Sequence, residues 1–226
     1  MLLIQDLSIQ RGTGAETHTV TLPHLALQRG EIVAITGASG CGKSTLLESI
    51  GLLLKPKQLA HYQLNQRTLQ DWPLYTEQKI AKLRAEKIGF VLQNGGLIPY
   101  LNVSENIYLP RQILQKKGSS AHIEQAIEHL GIGDLLKKMP AMLSIGERQR
   151  VAFVRAISHE PQLLLADEPT AALDPIHAQR LFSLFQDLVS NSAMCALVVS
   201  HDWELVKQFN LRKLHGDISP KGCRFV

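Results

Sequence analysis

The run EIVAITGASGCGKST, residues 31–45, constrains what this chain can fold into more than any other stretch. A short apolar segment ends at a glycine, the spacing G-x-x-x-x-G-K-S runs from Gly37 to Ser44, and KSTLLESIGLLL continues with helical character. Strand, glycine-rich turn and helix in that order bring a row of backbone N–H groups and the positive end of a helix to one point, which is a cradle for phosphate oxygens. Gly37, Ala38, Ser39, Gly40, Cys41 and Gly42 would wrap the phosphates. Lys43 would reach the β- and γ-phosphates, the Ser44 hydroxyl would suit Mg²⁺, and Thr45 belongs to the same binding set. The alternative is a glycine-rich turn that merely connects two elements.

A second stretch completes the first. In LLLADEP an apolar strand delivers Asp167 to its carboxyl end, where open α/β sheets place their ligands, and Glu168 follows at once. Two adjacent acids at a strand end are costly unless a cation or a reaction uses them. Asp167 suits a Mg²⁺ shell and Glu168 the polarising of an attacking water. Alone, the pair reads more simply as two solvated acids before Pro169.

The remainder of the chain fits this core. LLIQDLSIQ and TVTLPHLAL alternate like strands of a half-buried sheet, joined by the polar RGTGAETH. TEQKIAKLRAEK is amphipathic and IGFVLQ strand-like. From Asn94 to Met142 the pattern turns helical, with Ser104 the expected cap of one helix and Gly131 the stop of another. Later, helices alternate with the apolar strands QLLLAD and CALVVS, the mark of a mostly parallel sheet covered on both faces. In LSIGERQR, Ser144 and Glu147 form a capping-box pattern, yet Gly146 is a poor residue for a first turn unless the helix start meets something else.

Composition excludes several classes. With 226 residues and 45% apolar content the chain can bury one sizeable core, and a net charge of +4 is too mild for a nucleic-acid groove. Its longest apolar runs are far shorter than the roughly 20 residues a membrane span needs. MLLIQDLSIQ lacks a basic leader and a cleavage pattern, so secretion is not expected. Cys41, Cys195 and Cys223 fit a reducing compartment and have no metal-ligand spacing. Cys41, at a helix start beside Lys43, is expected to be a reactive thiol that a maleimide would find.

LSIGERQR followed by Asp167 resembles the signature motif of the ABC-transporter ATPases, and the resemblance spans nearly the whole chain. It implies an α/β P-loop NTPase core with a mostly parallel sheet, an N-terminal antiparallel β subdomain and an inserted α-helical subdomain. Residues 1–93 and 144–226 would be the core with its β subdomain, and 94–143 the helical one. Further landmarks follow in the family's order: Gln93 looks like the Q-loop glutamine, Asp174 the D-loop aspartate and His201 the switch histidine. The family implies ATP and Mg²⁺, with Ser44, Gln93 and Asp167 around the metal and Glu168, His201, Gln93 and Lys43 as the catalytic set. Ser144 and Gly146 would touch nucleotide held by a second subunit, so the implied partners are another copy of the chain and a membrane permease received by the groove from Gln93 to Pro110. No nucleic-acid partner is expected, and the implied place is the cytoplasmic face of the membrane.

IAKLRAEKIGFVLQNGGLIPYLNVSENIYLP and GERQRVAFVRAI are most similar to the ATPases of lipoprotein-release and macrolide-export systems and their cell-division relative. Two departures stand out. Ile145 replaces a usual glycine of the signature, and Arg11 stands where the family stacks an aromatic ring on adenine; a guanidinium plane can also stack on a base. Rival readings are an ABC-type ATPase acting on DNA or ribosomes, a GTP switch, and a nucleotide-gated module with little turnover. The first lacks the long coiled-coil insertion or the second cassette, and the second lacks a guanine-reading N-K-x-D.

Overall fold

The computed structural model describes residues 1–12, 17–69, 72, 75–191, 194–219 and 222–226. Alternating apolar residues build the first hairpin. β1 (Leu2–Arg11) pairs antiparallel with β2 (His18–Leu27), and their inward residues, Leu2, Ile4, Leu7 and Ile9 against Val20, Leu22, Leu25 and Leu27, are buried. Of the polar connection between them, residues 13–16 lie outside the described residues. β4 (His61–Leu64) adds to the other edge of β1, and β5 (Arg67–Thr68) closes a small hairpin on β4.

The parallel half is built from strands that are apolar on both faces. β3 (Ile32–Gly37), β6 (Ile88–Val91), β7 (Leu163–Asp167) and β8 (Cys195–Val199) pair in parallel, β6 to β7 to β8 to β3. A C-terminal hairpin, β9 (Arg212–Ser219) and β10 (Gly222–Phe225), bridges the halves: β9 lies parallel to β3, and β10 parallel to β2. One ten-stranded sheet results, in the order β5-β4-β1-β2-β10-β9-β3-β8-β7-β6. The side-chain period of two divides its central strands between two cores. Val33, Ile35, Leu163, Leu165, Leu197 and Val199 face one way; Ala34, Leu164, Ala166, Ala196 and Val198 face the other.

Helices cover both faces. α1 (Lys43–Ile50) packs on the first core with α2 (Glu77–Lys87). α3 (Val103–Ile113), α4 (Ala121–His129), α5 (Ile145–Ile157) and α6 (Pro175–Ser190) build the second, and the short α7 (Trp203–Gln208) follows β8. Between β6 and α5 every regular element is helical. Among the described residues no helix is long and apolar enough to cross a membrane.

Two local expectations are corrected. α1 stops at Ile50, capped by Gly51, before GLLL. α3 starts two residues earlier than Ser104 suggests: Asn102 is the cap and forms a full capping box with Glu105. The Ser104 amide is instead taken by the Leu136 carbonyl, and that of Val103 by Lys138, so tertiary acceptors decide where this helix begins.

Candidate active site

The loop between β3 and α1 has the shape its glycines permit. Gly42 caps α1 at φ 99°, and a β-carbon there would lie 2.4 Å from Val20 Cγ2, so both backbone and space demand glycine. Lys43 is 6% exposed, and its ammonium donates to the carbonyls of Gly37 at 3.0 Å and Ala38 at 2.9 Å. The cation thus lies folded along the inside of the loop, held by weak acceptors that a phosphate can replace.

Three neighbouring strand ends meet at one carboxylate. Glu168 follows β7 with φ 50°, a left-handed backbone that few non-glycine residues adopt, and its amide donates to the Val199 carbonyl on β8. That twist aims the side chain between two partners. One carboxylate oxygen accepts from the Gln93 amide, beyond β6, at 3.2 Å; the other lies 3.1 Å from His201 Nε2, beyond β8. Asp167, the last residue of β7, sits beside it in register with Val199. The structure therefore brings Gln93, Asp167, Glu168 and His201 to one edge of the parallel sheet, the edge from which the Gly37 loop also leaves.

The signature segment lies elsewhere. Ser144 caps α5, accepting from the Glu147 amide at 3.2 Å, while its own amide donates to the Glu147 carboxylate at 2.7 Å. Those bonds hold the Glu147 carboxyl below the usual range. Gly146 has a packing reason: a β-carbon there would stand 3.1 Å from Leu173 Cδ2, so its absence lets the segment before Asp174 close on the helix start. Asp174 caps α6 and also accepts from His177 Nδ1 at 2.6 Å, hydrogen bonds that hold its carboxyl below the ordinary value. Ser144, Ile145, Gly146, Arg148, Asp174 and His177 line one open cleft, and no residue of the phosphate loop lines it.

Residues 21–171 match the family described as ABC transporter. The chain is a member of that family. It is an ATP-binding cassette with ATPase activity, and it is similar over almost its whole length to curated members. The lipoprotein-releasing system ATP-binding protein LolD of Idiomarina loihiensis is 38% identical over 211 residues, 92% of this chain and 91% of the relative. LolD 1 of Rhodospirillum rubrum is 37% identical over 85% of this chain and 84% of its own. Among solved structures, the ATP-binding cassette MJ0796, a dimer in a post-hydrolysis state bound to ADP and Pi, superposes with a TM-score of 0.84 at 30% identity, covering 95% of this chain and 94% of that one.

Against that family, three residues of this cassette behave in particular ways. Arg11, at the end of β1, forms an ion pair with Glu48 of α1. Both groups are exposed, and such a pair is worth at most about 1 kcal/mol, so the guanidinium is cheap to release. Ile145 is 60% exposed on the signature cleft. Cys41 departs from the expectation of a thiol displayed at the loop surface: its side chain is fully buried, and its amide donates to the Ala38 carbonyl at 3.3 Å.

Sequence reasoning missed the residues that hold the site. Buried Gln149 of α5 donates to the Gln93 carbonyl at 3.2 Å. Arg155, two turns on, grips the next loop through the carbonyls of Gly95 and Gly96, both at 2.8 Å. Asn106 spends its whole amide on the backbone of residues 98–102. Beneath β6, buried His159 donates from Nε2 to the Ile88 carbonyl, while its Nδ1 has no partner among the described residues; burial pushes its pKa down to about 4. The one available signal was the polar spacing of GERQRVAFVR on an otherwise apolar helix.

Proposed function

We propose that this cassette pairs head to tail with a second copy around two ATP and drives a separate membrane permease of the export or mechanotransmission kind. The observation that carries the reading is the Glu168 carboxylate, bracketed by Gln93 at 3.2 Å and His201 at 3.1 Å at the end of the parallel sheet. An exposed catalytic acid needs no such brackets; one that must aim a water at a γ-phosphate does.

In this reading the loop amides of Gly37 to Thr45 hold the phosphates, and Lys43 swings from the Gly37 and Ala38 carbonyls onto the β- and γ-phosphate oxygens. Glu168 orients the water and accepts its proton; His201 leaves Glu168 to hold the γ-phosphate. Ser44, Asp167 and Gln93 are hard oxygen donors that fit Mg²⁺, which when bound neutralises charge on the phosphates. No covalent enzyme intermediate is needed.

The pairing is supported by the separation of the two polar faces. Ser144 and Gly146 line a cleft without the phosphate loop, so they would complete the loop of a twin, with Asp174 relaying between the sites. The permease reading rests on residues 93–110: their backbone is pinned by Gln149, Arg155 and Asn106, yet Tyr100 is 77% exposed, as a docking ring would be. The helical lobe of 94–143 would carry that contact, placing the chain on the cytoplasmic face of a membrane through its permease. Steady-state phosphate release with and without Glu168→Gln tests the enzyme. The reading survives if release collapses while ATP then traps a stable dimer, and is lost if the variant turns over normally.

A further inference from the structure

Two cysteines far apart in sequence meet beneath the phosphate loop. Cys41 belongs to the loop itself and Cys223 to β10, the C-terminal strand. Both are unoxidised and buried, at 0 and 2% exposure. They share one niche. Gly37, at the end of β3, is paired with Gly216 of β9, and Gly216 with Phe225 of β10. Because neither glycine has a side chain, sulfur fills the space: a β-carbon on Gly37 would lie 2.9 Å from Cys41 Sγ, and one on Gly216 3.0 Å from Cys223 Sγ. The pairing of Gly37 with Gly216 thus sets the two sulfurs side by side, and burial together with the neighbouring Cys41 raises the pKa of the Cys223 thiol. The third cysteine, Cys195, sits at the opposite end of the strands against the Gln162 carbonyl.

Neither thiol has a part in the reaction set out above. We propose that Cys41 and Cys223 form a redox-modification site, which a hydroperoxide converts to an intramolecular disulfide that pulls the phosphate loop out of its binding shape. The chemistry balances with the peroxide as oxidant. One thiolate sulfur attacks the O–O bond, leaving a sulfenic acid and, after proton uptake, water. The second sulfur then displaces the hydroxyl, which leaves as water with the remaining proton. Two thiols and one hydrogen peroxide give one disulfide and two waters, the sulfurs losing two electrons to the peroxide oxygens.

The loop is the side that gives way. A disulfide needs its sulfurs about 2.05 Å apart, much nearer than non-bonded thiols. β10 is anchored on both edges, by β2 and by β9. Gly42, next to Cys41, backs onto Val20, the partner of Cys223 across the β2–β10 pair, so closely that a β-carbon there would stand 2.4 Å from Val20 Cγ2; a shift of the loop toward β10 therefore displaces Gly42 and the Lys43 that follows. The effect on nucleotide rests on reading this loop as the nucleotide cradle; formation of the bond does not.

The test treats the full chain with one to a few equivalents of hydrogen peroxide, alkylates it in denaturant, and maps its peptides. The expected result is a Cys41–Cys223 linked peptide with Cys195 still free. ATP affinity should fall at least tenfold and return with dithiothreitol. Cys223→Ser should bind ATP as the untreated chain does, before and after peroxide, and Cys195→Ser should respond like the unmodified protein. Loss of thiols without the linked peptide overturns the site, and a linked peptide with unchanged ATP affinity overturns its effect on the loop. If the reduced chain fails to bind ATP, the nucleotide reading fails instead, while the peptide map still decides the disulfide.

Discussion

The carboxyl edge of the parallel sheet and the start of α5 are both polar surfaces of one cassette, but they are organised in opposite ways. At the sheet edge, side chains from three strands are bonded to one another, Gln93 and His201 to Glu168, before any substrate arrives. At the signature, Ser144 bonds Glu147 and Asp174 bonds His177, each within its own turn. The first region is assembled by long-range contacts and the second by local ones. A preassembled set of side chains on one face and a locally finished, open cleft on another is the arrangement on which the proposed head-to-tail pairing rests.

The largest effect that could break this contrast is at Glu168. Glu168→Gln keeps the side chain's size and one acceptor oxygen but removes the base, and phosphate release should drop by about 10²- to 10⁴-fold, with nucleotide binding retained. Gly146→Val strikes the other side: a branched side chain meets Leu173 and the cleft, and turnover should fall about ten- to a hundredfold. Titrating the variant with an excess of Glu168→Gln chains, whose own pockets are silent, should restore turnover, because in the mixed pair both mutations fall on the same pocket and leave the other intact. Equal loss in every mixture would end the shared-pocket view.

Acid should weaken the sheet-edge region by way of its foundation. His159 is neutral beneath β6 with a pKa near 4, against about 6.5 in the unfolded chain, so between those values the unfolded state binds more protons and stability falls as pH drops. From pH 7 to pH 5 the loss is about 2 kcal/mol, readable as a lower urea midpoint, and His159→Gln should flatten that slope. The smallest effect is at Arg11. Arg11→Ala should weaken ATP binding by about three- to tenfold, and Arg11→Lys should do no better if stacking of the guanidinium plane, rather than charge, is what the base uses.

Much of this was legible in the chain. Glycines at 37, 40 and 42 before Lys43, the acids at 167 and 168 after an apolar strand, and the Ser144–Glu147 box are all patterns written within a few residues, and their physics is local. What escaped was non-local. Ser104 looked like the cap of α3, but the carbonyls of Leu136 and Lys138 occupy that turn's amides and Asn102 caps instead. β9 and β10 were not read at all, since LHGDIS and GCRF become strands only because β3 and β2 offer them open edges.

By itself, the amino-acid sequence determined the class of chemistry: a phosphate cradle, an acid pair and a capped, glycine-softened helix start, because each depends on backbone freedom and residue type at adjacent positions. Only the tertiary structure decided which groups act together. The pairing of Glu168 with both Gln93 and His201, the grip of Gln149 and Arg155 on backbone carbonyls, and the meeting of Cys41 with Cys223 all depend on strand order in the sheet. Residues brought together by a sheet's order share no sequence spacing, so no periodicity could announce them.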